Sequence, residues 1–165
     1  MKKYTGIGAR RVAQEYLDLA GAFAGRMSQR GYTLVTGDAE GMDKAFWKGA
    51  DPGMRKRFRS CDAKPWAYEM AARYLPDDRS GFENWKPYVQ GLMARNMMQV
   101  LGENGNEPSD FVICFTPVLY YHNSDCGGTG YAVRCALDHG IPVFNMKDPK
   151  CISFLKMIDD SPTTR

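Results

Sequence analysis

The residues best suited to chemistry form a short loop of small side chains after Cys126. The loop lies between an apolar run, 111–115, and a helix-like run, 131–139. Glycines at a strand-to-helix junction let a ligand approach the main chain, and the N-terminus of the helix favours an anion. The loop is therefore predicted to bind a phosphate through Gly127, Gly128, Thr129 and Gly130. A purely turn-forming role is the alternative.

Two further glycine-rich segments follow strand-like runs. Gly8 ends the first run, and Gly37 and Gly41 follow the second. In an open parallel sheet the carboxyl ends of the strands share one edge, and ligands bind in the crevice there. We therefore expect these glycines to meet the Gly127–Gly130 loop at one ligand-binding crevice.

Charged residues accompany these glycines. Arg10 follows the first glycine turn, and its guanidinium is predicted to hold a phosphate by two parallel hydrogen bonds. A surface arginine is the alternative. Asp38, Glu40 and Asp43 would repel a phosphate, so we expect them to bind ribose hydroxyls, hold Arg10 or a divalent ion, serve as an acid/base pair, or cap the next helix. Asp43 and Glu40 are the candidate catalytic carboxylates.

Composition places the chain among ordinary globular proteins. It has 165 residues, 44% of them hydrophobic, 25% charged, and a net charge of +3. This mild basic balance does not by itself indicate nucleic acid. Five cysteines without metal-ligand spacing, no signal peptide and no membrane-length apolar run predict a reduced, cytoplasmic protein. No metal and no cofactor is expected.

The alternation of short apolar runs with amphipathic stretches predicts an α/β fold, with a Rossmann-like parallel sheet and helices on both faces. Apolar residues recur at helical spacing from Val12 to Met27, with Gly31 as the stop. Strands are predicted at 4–7, 32–36, 111–115 and 142–145, and further helices at 42–49, 65–74, 86–101, 129–139 and 151–158.

Residues 51–90 interrupt this rhythm. They are interpreted as an aromatic and basic insertion within a single domain spanning 1–165. The segment contains four basic residues in six from Met54 to Arg59, and Arg57–Arg59 is predicted as a short strand or edge. Residues 161–165 are predicted to be a frayed tail.

Several motifs together resemble the Rossmann-like domain of phage and prophage proteins similar to DNA-processing protein A (DprA), within the SLOG superfamily. These motifs are Gly8-Ala9-Arg10, 36–43, Ala94-Arg95-Asn96, 108–113, 127–130 and 140–145. The resemblance implies recognition of a nucleotide or its phosphate at the glycine loops, and it implies that Arg95 and Asn96 reach the crevice. Without it, Arg95 would be interpreted as exposed.

The chain departs from a more distant group, the LOG-type phosphoribohydrolases. Their motif resembles G-G-x-G-T-x-x-E, in which the Glu takes part in N-glycosidic cleavage. Here Tyr131 matches the Thr and Arg134 matches the Glu. Arg134 cannot act as a general base because its pKa is too high. The winged-helix extension of many DNA-processing proteins is also expected to be absent.

Three functions follow from these observations. The first is binding or sensing of a small nucleotide or nucleotide-derived signal. The second is binding of single-stranded DNA through the basic segment 55–59 and its neighbouring aromatics. The third is a nucleotide N-glycosidase that uses Asp43 or Glu40 in place of the lost Glu. A homo-oligomer is left open, and no membrane partner is expected.

Overall fold

The computed structural model describes residues 1–160, with side chains described to 157. Five strands form one parallel sheet, β1 (Lys3–Gly8), β2 (Thr33–Thr36), β3 (Arg55–Arg57), β4 (Val112–Phe115) and β5 (Val143–Asn145), in the order β3-β2-β1-β4-β5. The predicted Rossmann-like α/β fold is confirmed. The predicted tail, 161–165, lies outside the described residues.

Six α-helices accompany the sheet within residues 1–160. They are α1 (Gln14–Gln29), α2 (Met42–Gly49), α3 (Pro65–Arg73), α4 (Pro87–Leu101), α5 (Thr129–Asp138) and α6 (Pro149–Asp160). The predicted start of α1 at Val12 was too early, because Ala13 is still extended, with ψ at 145°. The predicted start of α6 at Cys151 was too late, since Pro149 occupies the first helical position, where proline is favoured.

The two faces of the sheet are covered by separate apolar cores. Successive strand residues alternate between them: Val112 and Cys114 face one core, whereas Ile113 and Phe115 face the other. Helices α3, α4 and α5 cover the first face. Helices α1, α2 and α6 cover the second. This arrangement explains why the β4 sequence is continuously apolar.

The segment 51–90 contributes directly to the sheet. Arg55, Lys56 and Arg57 pair in parallel with Leu34–Thr36 of β2, so its first residues form an edge strand. The predicted strand at Arg57–Arg59 was displaced by two residues. Phe58, which follows β3, is buried in the core beneath α3 and α4.

Candidate functional site

A crevice opens where the order of the strands reverses. β1 and β4 are neighbours in the sheet, but α1 leaves β1 toward one face and α5 follows β4 on the other. Doubly wound sheets bind ligands at such a switch point. The cavity has a volume of about 230 Å³ and is lined by Ile7, Gly8, Ala9, Arg10, Ala39, Asp43, Leu92, Met93, Arg95, Asn96, Pro117, Cys126, Gly127, Gly128 and Thr129.

The glycine loop presents main-chain donors to this crevice. Gly127 has a φ of +68°, and it and Gly128 are exposed. The Asn96 side-chain amide donates to the Gly128 carbonyl at 3.0 Å and so fixes the loop against α4. Among the described residues, nothing accepts a hydrogen bond from the main-chain N–H of Gly128 or Thr129. These two donors, at the positive end of the α5 dipole, are suited to an anion.

Arg10 lies at the crevice as an exposed side chain. Within residues 1–157 its guanidinium has no hydrogen-bond or ion-pair partner. The loop that carries Arg10 packs directly against Gly41. The φ of Gly41 is +81°, and a Cβ added there would clash with the Arg10 carbonyl oxygen. Gly41 is therefore required for the packing of two loops, and it does not line the cavity.

A buried ionic cluster lies beside the crevice. Arg95, only 5% exposed, forms an ion pair through Nη1 with Asp38 Oδ1, and its Nη2 lies 3.9 Å from Asp43 Oδ2. Asp43 is 1% exposed. Burial raises the pKa of Asp43 to about 7, although Arg95 and main-chain donors oppose the change. At neutral pH this carboxyl is therefore poised to hold or release a proton.

Two buried polar atoms of this cluster lack partners within the described part of the chain. They are Asp43 Oδ1 and Arg95 Nε, and both residues line the cavity. A buried polar atom without a partner costs free energy that a ligand's hydrogen bond can recover. The cluster thus supplies an unsatisfied acceptor and donor opposite the glycine loop.

Sequence reasoning missed Gln99, which belongs to the same cluster. Its side chain is fully buried, and neither amide atom has a partner among the described residues. A Cβ on Gly37 would clash with it and lie 2.5 Å from Asp43 Oδ2, so Gly37 is a packing glycine. The sequence signal that could have identified this buried residue is a single glutamine within the apolar stretch 97–101.

Glu40 and Asp38 lie outside the crevice. Both line a neighbouring cavity of about 210 Å³, together with Trp47 and Arg57. Glu40 is exposed and forms an ion pair with Lys44 at 3.3 Å, the i,i+4 partner on the helix. The structure therefore brings Asp43 to the glycine loop but not Glu40.

Arg134 holds two neighbouring segments of the chain against α5 by hydrogen bonds. Its Nε donates to the Tyr74 carbonyl at 2.7 Å, and its Nη1 donates to the Tyr121 carbonyl at 2.7 Å. An added Cβ on Gly130 would clash with Cys126 Sγ and approach Arg134 Nη1 at 2.7 Å. Gly130 therefore lets α5 pack against the loop before it, behind the residues that face the crevice.

The basic segment is partly engaged by the protein. Arg55 donates to the Trp47 carbonyl at 2.7 Å, and Lys56 forms an ion pair with Glu103 at 3.6 Å. The guanidinium carbons of Arg55 and Arg57 lie 4.1 and 4.7 Å from the centroid of the Trp47 ring. Arg57 is exposed and remains available to a ligand.

Comparison with known proteins identifies a similar structure. No protein-family model matches the chain, and no curated protein matches its sequence. DNA processing protein A from Helicobacter pylori, solved in a study of its single-stranded DNA binding mode, superimposes with a TM-score of 0.59 at 16% identity. The two share a fold. The match covers 94% of this chain and 72% of the other.

No group of three or more His, Cys, Asp or Glu side chains that could hold a metal ion occurs among the described residues. The helices of residues 1–160 are all too short or too polar to cross a membrane.

Proposed function

We propose that this protein binds a small nucleotide or nucleotide-derived signal through its phosphate, at the crevice between β1 and α5. The main support for this proposal is a set of hydrogen-bond donors without partners on residues that line the crevice. Gly128, Thr129, Arg10 and Arg95 all line one cavity. Within the described residues, the main-chain N–H groups of Gly128 and Thr129, the Arg10 guanidinium and Arg95 Nε have no hydrogen-bond partner. Such convergence of donors favours an anion over a neutral ligand.

The raised pKa of Asp43 removes an objection to this proposal. An ionised carboxylate in the crevice would repel a phosphate. Because burial holds the pKa of Asp43 near 7, about half of the population is neutral at pH 7, and proton uptake can accompany binding. The protonated carboxyl then donates a hydrogen bond to the ligand.

The test is a thermal-shift panel of nucleotides, dinucleotides, cyclic nucleotides and oligonucleotides. Gly128→Val should abolish ligand-induced stabilisation, because the side chain covers the exposed amides. Gly128 has a φ of −61°, so its backbone accepts a side chain, and the nearest atom to an added Cβ is the flexible Met93 Cε at 3.0 Å. Gly53→Val is the matched control, since an added Cβ there meets open space. Undiminished nucleotide binding by Gly128→Val would place the site elsewhere.

Binding of single-stranded DNA is the second candidate. DNA processing protein A, which has the same fold, binds single-stranded DNA. Here the exposed Arg57 guanidinium lies over Trp47, which combines the charge and the aromatic surface that hold such strands. Lys48 lines the same cavity.

Salt dependence tests this second candidate. Log affinity for an oligonucleotide should fall with log salt, with a slope of about −0.7 per phosphate contact. Reversing the charges of Arg55, Lys56, Arg57 and Arg59 should flatten the slope. An unchanged slope would show that the basic segment is only a solvated face.

Hydrolysis is the third candidate, and the position of Asp43 is the observation that favours it. N-glycosidic cleavage needs a carboxyl near the anomeric carbon. Base release from nucleoside monophosphates, followed by chromatography, should be lost in Asp43→Asn and retained in Glu40→Gln. Turnover on the order of 1 s⁻¹ by the wild type would identify an enzyme. Activity that survives Asp43→Asn would exclude Asp43 as the carboxyl.

A further inference from the structure

A second, larger cavity adjoins the crevice at the glycine loop. Its volume is about 770 Å³, and it shares Met93, Gly127 and Gly128 with the crevice. The opposite wall comes from the segment 76–89. An added Cβ on Gly127 would meet open space, so no side chain separates the two cavities at this residue.

Trp85 gives this cavity an aromatic wall that is held in place. Its indole N–H donates to the Ser80 carbonyl at 3.1 Å, and its ring packs against Phe82 at a centroid distance of 5.4 Å. The side chain is half-buried and lines the cavity. A fixed, partly exposed indole is a suitable surface for stacking a nucleobase.

Tyr131 adds an unsatisfied hydroxyl. The residue lines the same cavity and is 4% exposed, and its hydroxyl has no partner among the described residues. Burial raises the pKa of Tyr131 to about 12, so the hydroxyl stays protonated and can donate. The guanidinium carbon of Arg134 lies 4.8 Å from the centroid of the Tyr131 ring, and this cation–π contact helps to hold the ring in place.

The charged side chains around the second cavity suit a ligand that also carries a phosphate. Arg79 and Lys86 are exposed and line it, and neither has an ion-pair partner in the described part of the chain. Asp78, the acidic residue of the lining, accepts hydrogen bonds from the main chain and hydroxyl of Ser124. Its charge is thus directed to the neighbouring loop.

We propose that the second cavity holds the base of the nucleotide whose phosphate lies at the Gly127–Thr129 loop, stacked on Trp85 and hydrogen-bonded by the Tyr131 hydroxyl. This inference rests on the proposed function, since the phosphate site sets the position of the base. The ligand crosses from one cavity to the other over Gly127, where an added Cβ would meet open space, and the flexible Met93 side chain lies beside this path at Gly128. Tyr131, which stands where the hydrolase motif has Thr, would thereby help to select the base.

The experiment compares two probes by titration calorimetry. Ribose 5-phosphate carries the phosphate and sugar alone, whereas AMP adds the base. Wild-type protein should bind AMP more tightly by roughly 5- to 150-fold, the range of one stacked base. Trp85→Ala should remove most of this advantage and leave the affinity for ribose 5-phosphate unchanged. Tyr131→Phe should weaken the binding of AMP but not of ribose 5-phosphate, by roughly 2- to 12-fold for a lost hydrogen bond.

Tyr4→Phe is the matched control, because Tyr4 also has a fully buried hydroxyl without a described partner, but it lies in the core on the other sheet face. It should bind both probes as the wild type does. Equal affinity of the wild type for AMP and ribose 5-phosphate would overturn the base site and leave the phosphate site standing. So would an AMP advantage that survives both Trp85→Ala and Tyr131→Phe. Failure of the wild type to bind either probe would overturn the proposed function and the base site together.

Discussion

Replacing Asp43 with asparagine should stabilise the protein at high pH. The native carboxyl keeps its proton up to about pH 7, whereas the unfolded chain releases it near the ordinary value of 3.8. The unfolded state therefore holds fewer protons between these values, and the free energy of unfolding falls as the pH rises from about 4 to 7. At 1.36 kcal/mol per pH unit, the loss is about 4 kcal/mol above pH 7.

The asparagine side chain is a close mimic of the protonated carboxyl and does not titrate. Asp43→Asn should thus be more stable than the wild type by about 4 kcal/mol at pH 8 and by less than about 2 kcal/mol at pH 5. The ion pair between Arg95 and Asp38 remains in the variant, so Arg95 keeps an anionic partner. Such a difference is a large fraction of the stability of a typical domain.

Urea unfolding followed by tryptophan fluorescence at pH 5, 6, 7 and 8 measures this effect. Glu40→Gln is the control, because it makes the same chemical change in an exposed side chain and should show no such pH dependence. If Asp43→Asn and the wild type differ by the same amount at pH 5 and pH 8, the carboxyl is not held protonated by burial. The account of the crevice electrostatics would then be wrong.

Three other outcomes follow from the site. Arg10→Ala should weaken nucleotide binding by about 1.5–3 kcal/mol, the scale of a charged hydrogen bond. Arg11 is the exposed neighbouring residue, and Arg11→Ala should leave the affinity unchanged; titration calorimetry measures both. Nucleotide affinity should fall between pH 6 and pH 8 as Asp43 ionises, and a flat profile in the wild type would contradict the proposed proton uptake. Gly41→Ala should lower the free energy of unfolding by at least about 1–2 kcal/mol, because Gly41 has a φ of +81° and an added Cβ would clash with Arg10. Urea unfolding at wild-type stability would refute this.

The fold could be predicted because short strand-like runs alternate with helices that have a periodic apolar face. β4 and α1 are clear examples, since burial on both sheet faces and on one helix face selects those patterns. β3 was harder to place. Its three residues, Arg55–Arg57, are all cationic, and main-chain pairing with β2 holds them in the sheet. Hydrophobic patterning carries no information about such a strand.

The site was predictable only in part. The glycine loop and Arg10 carry local signals, and both line the crevice. The buried cluster joins Asp43 on α2 to Arg95 on α4, far apart in sequence, and no local pattern reports that contact. The pKa of Asp43 follows from this three-dimensional burial. The second cavity likewise depends on segment 76–89 folding back beside the loop, which composition alone does not show.

The cationic strand β3 also bears on self-association. It forms one edge of the sheet, and an edge strand offers unpaired main-chain groups to another copy of the chain. Three adjacent positive charges repel the same strand of a second molecule and so discourage sheet extension. Replacing Arg55, Lys56 and Arg57 with alanine would remove that protection and favour aggregation. Charge reversal preserves it, because like charges still face one another, and it is therefore the better design for the salt-dependence experiment.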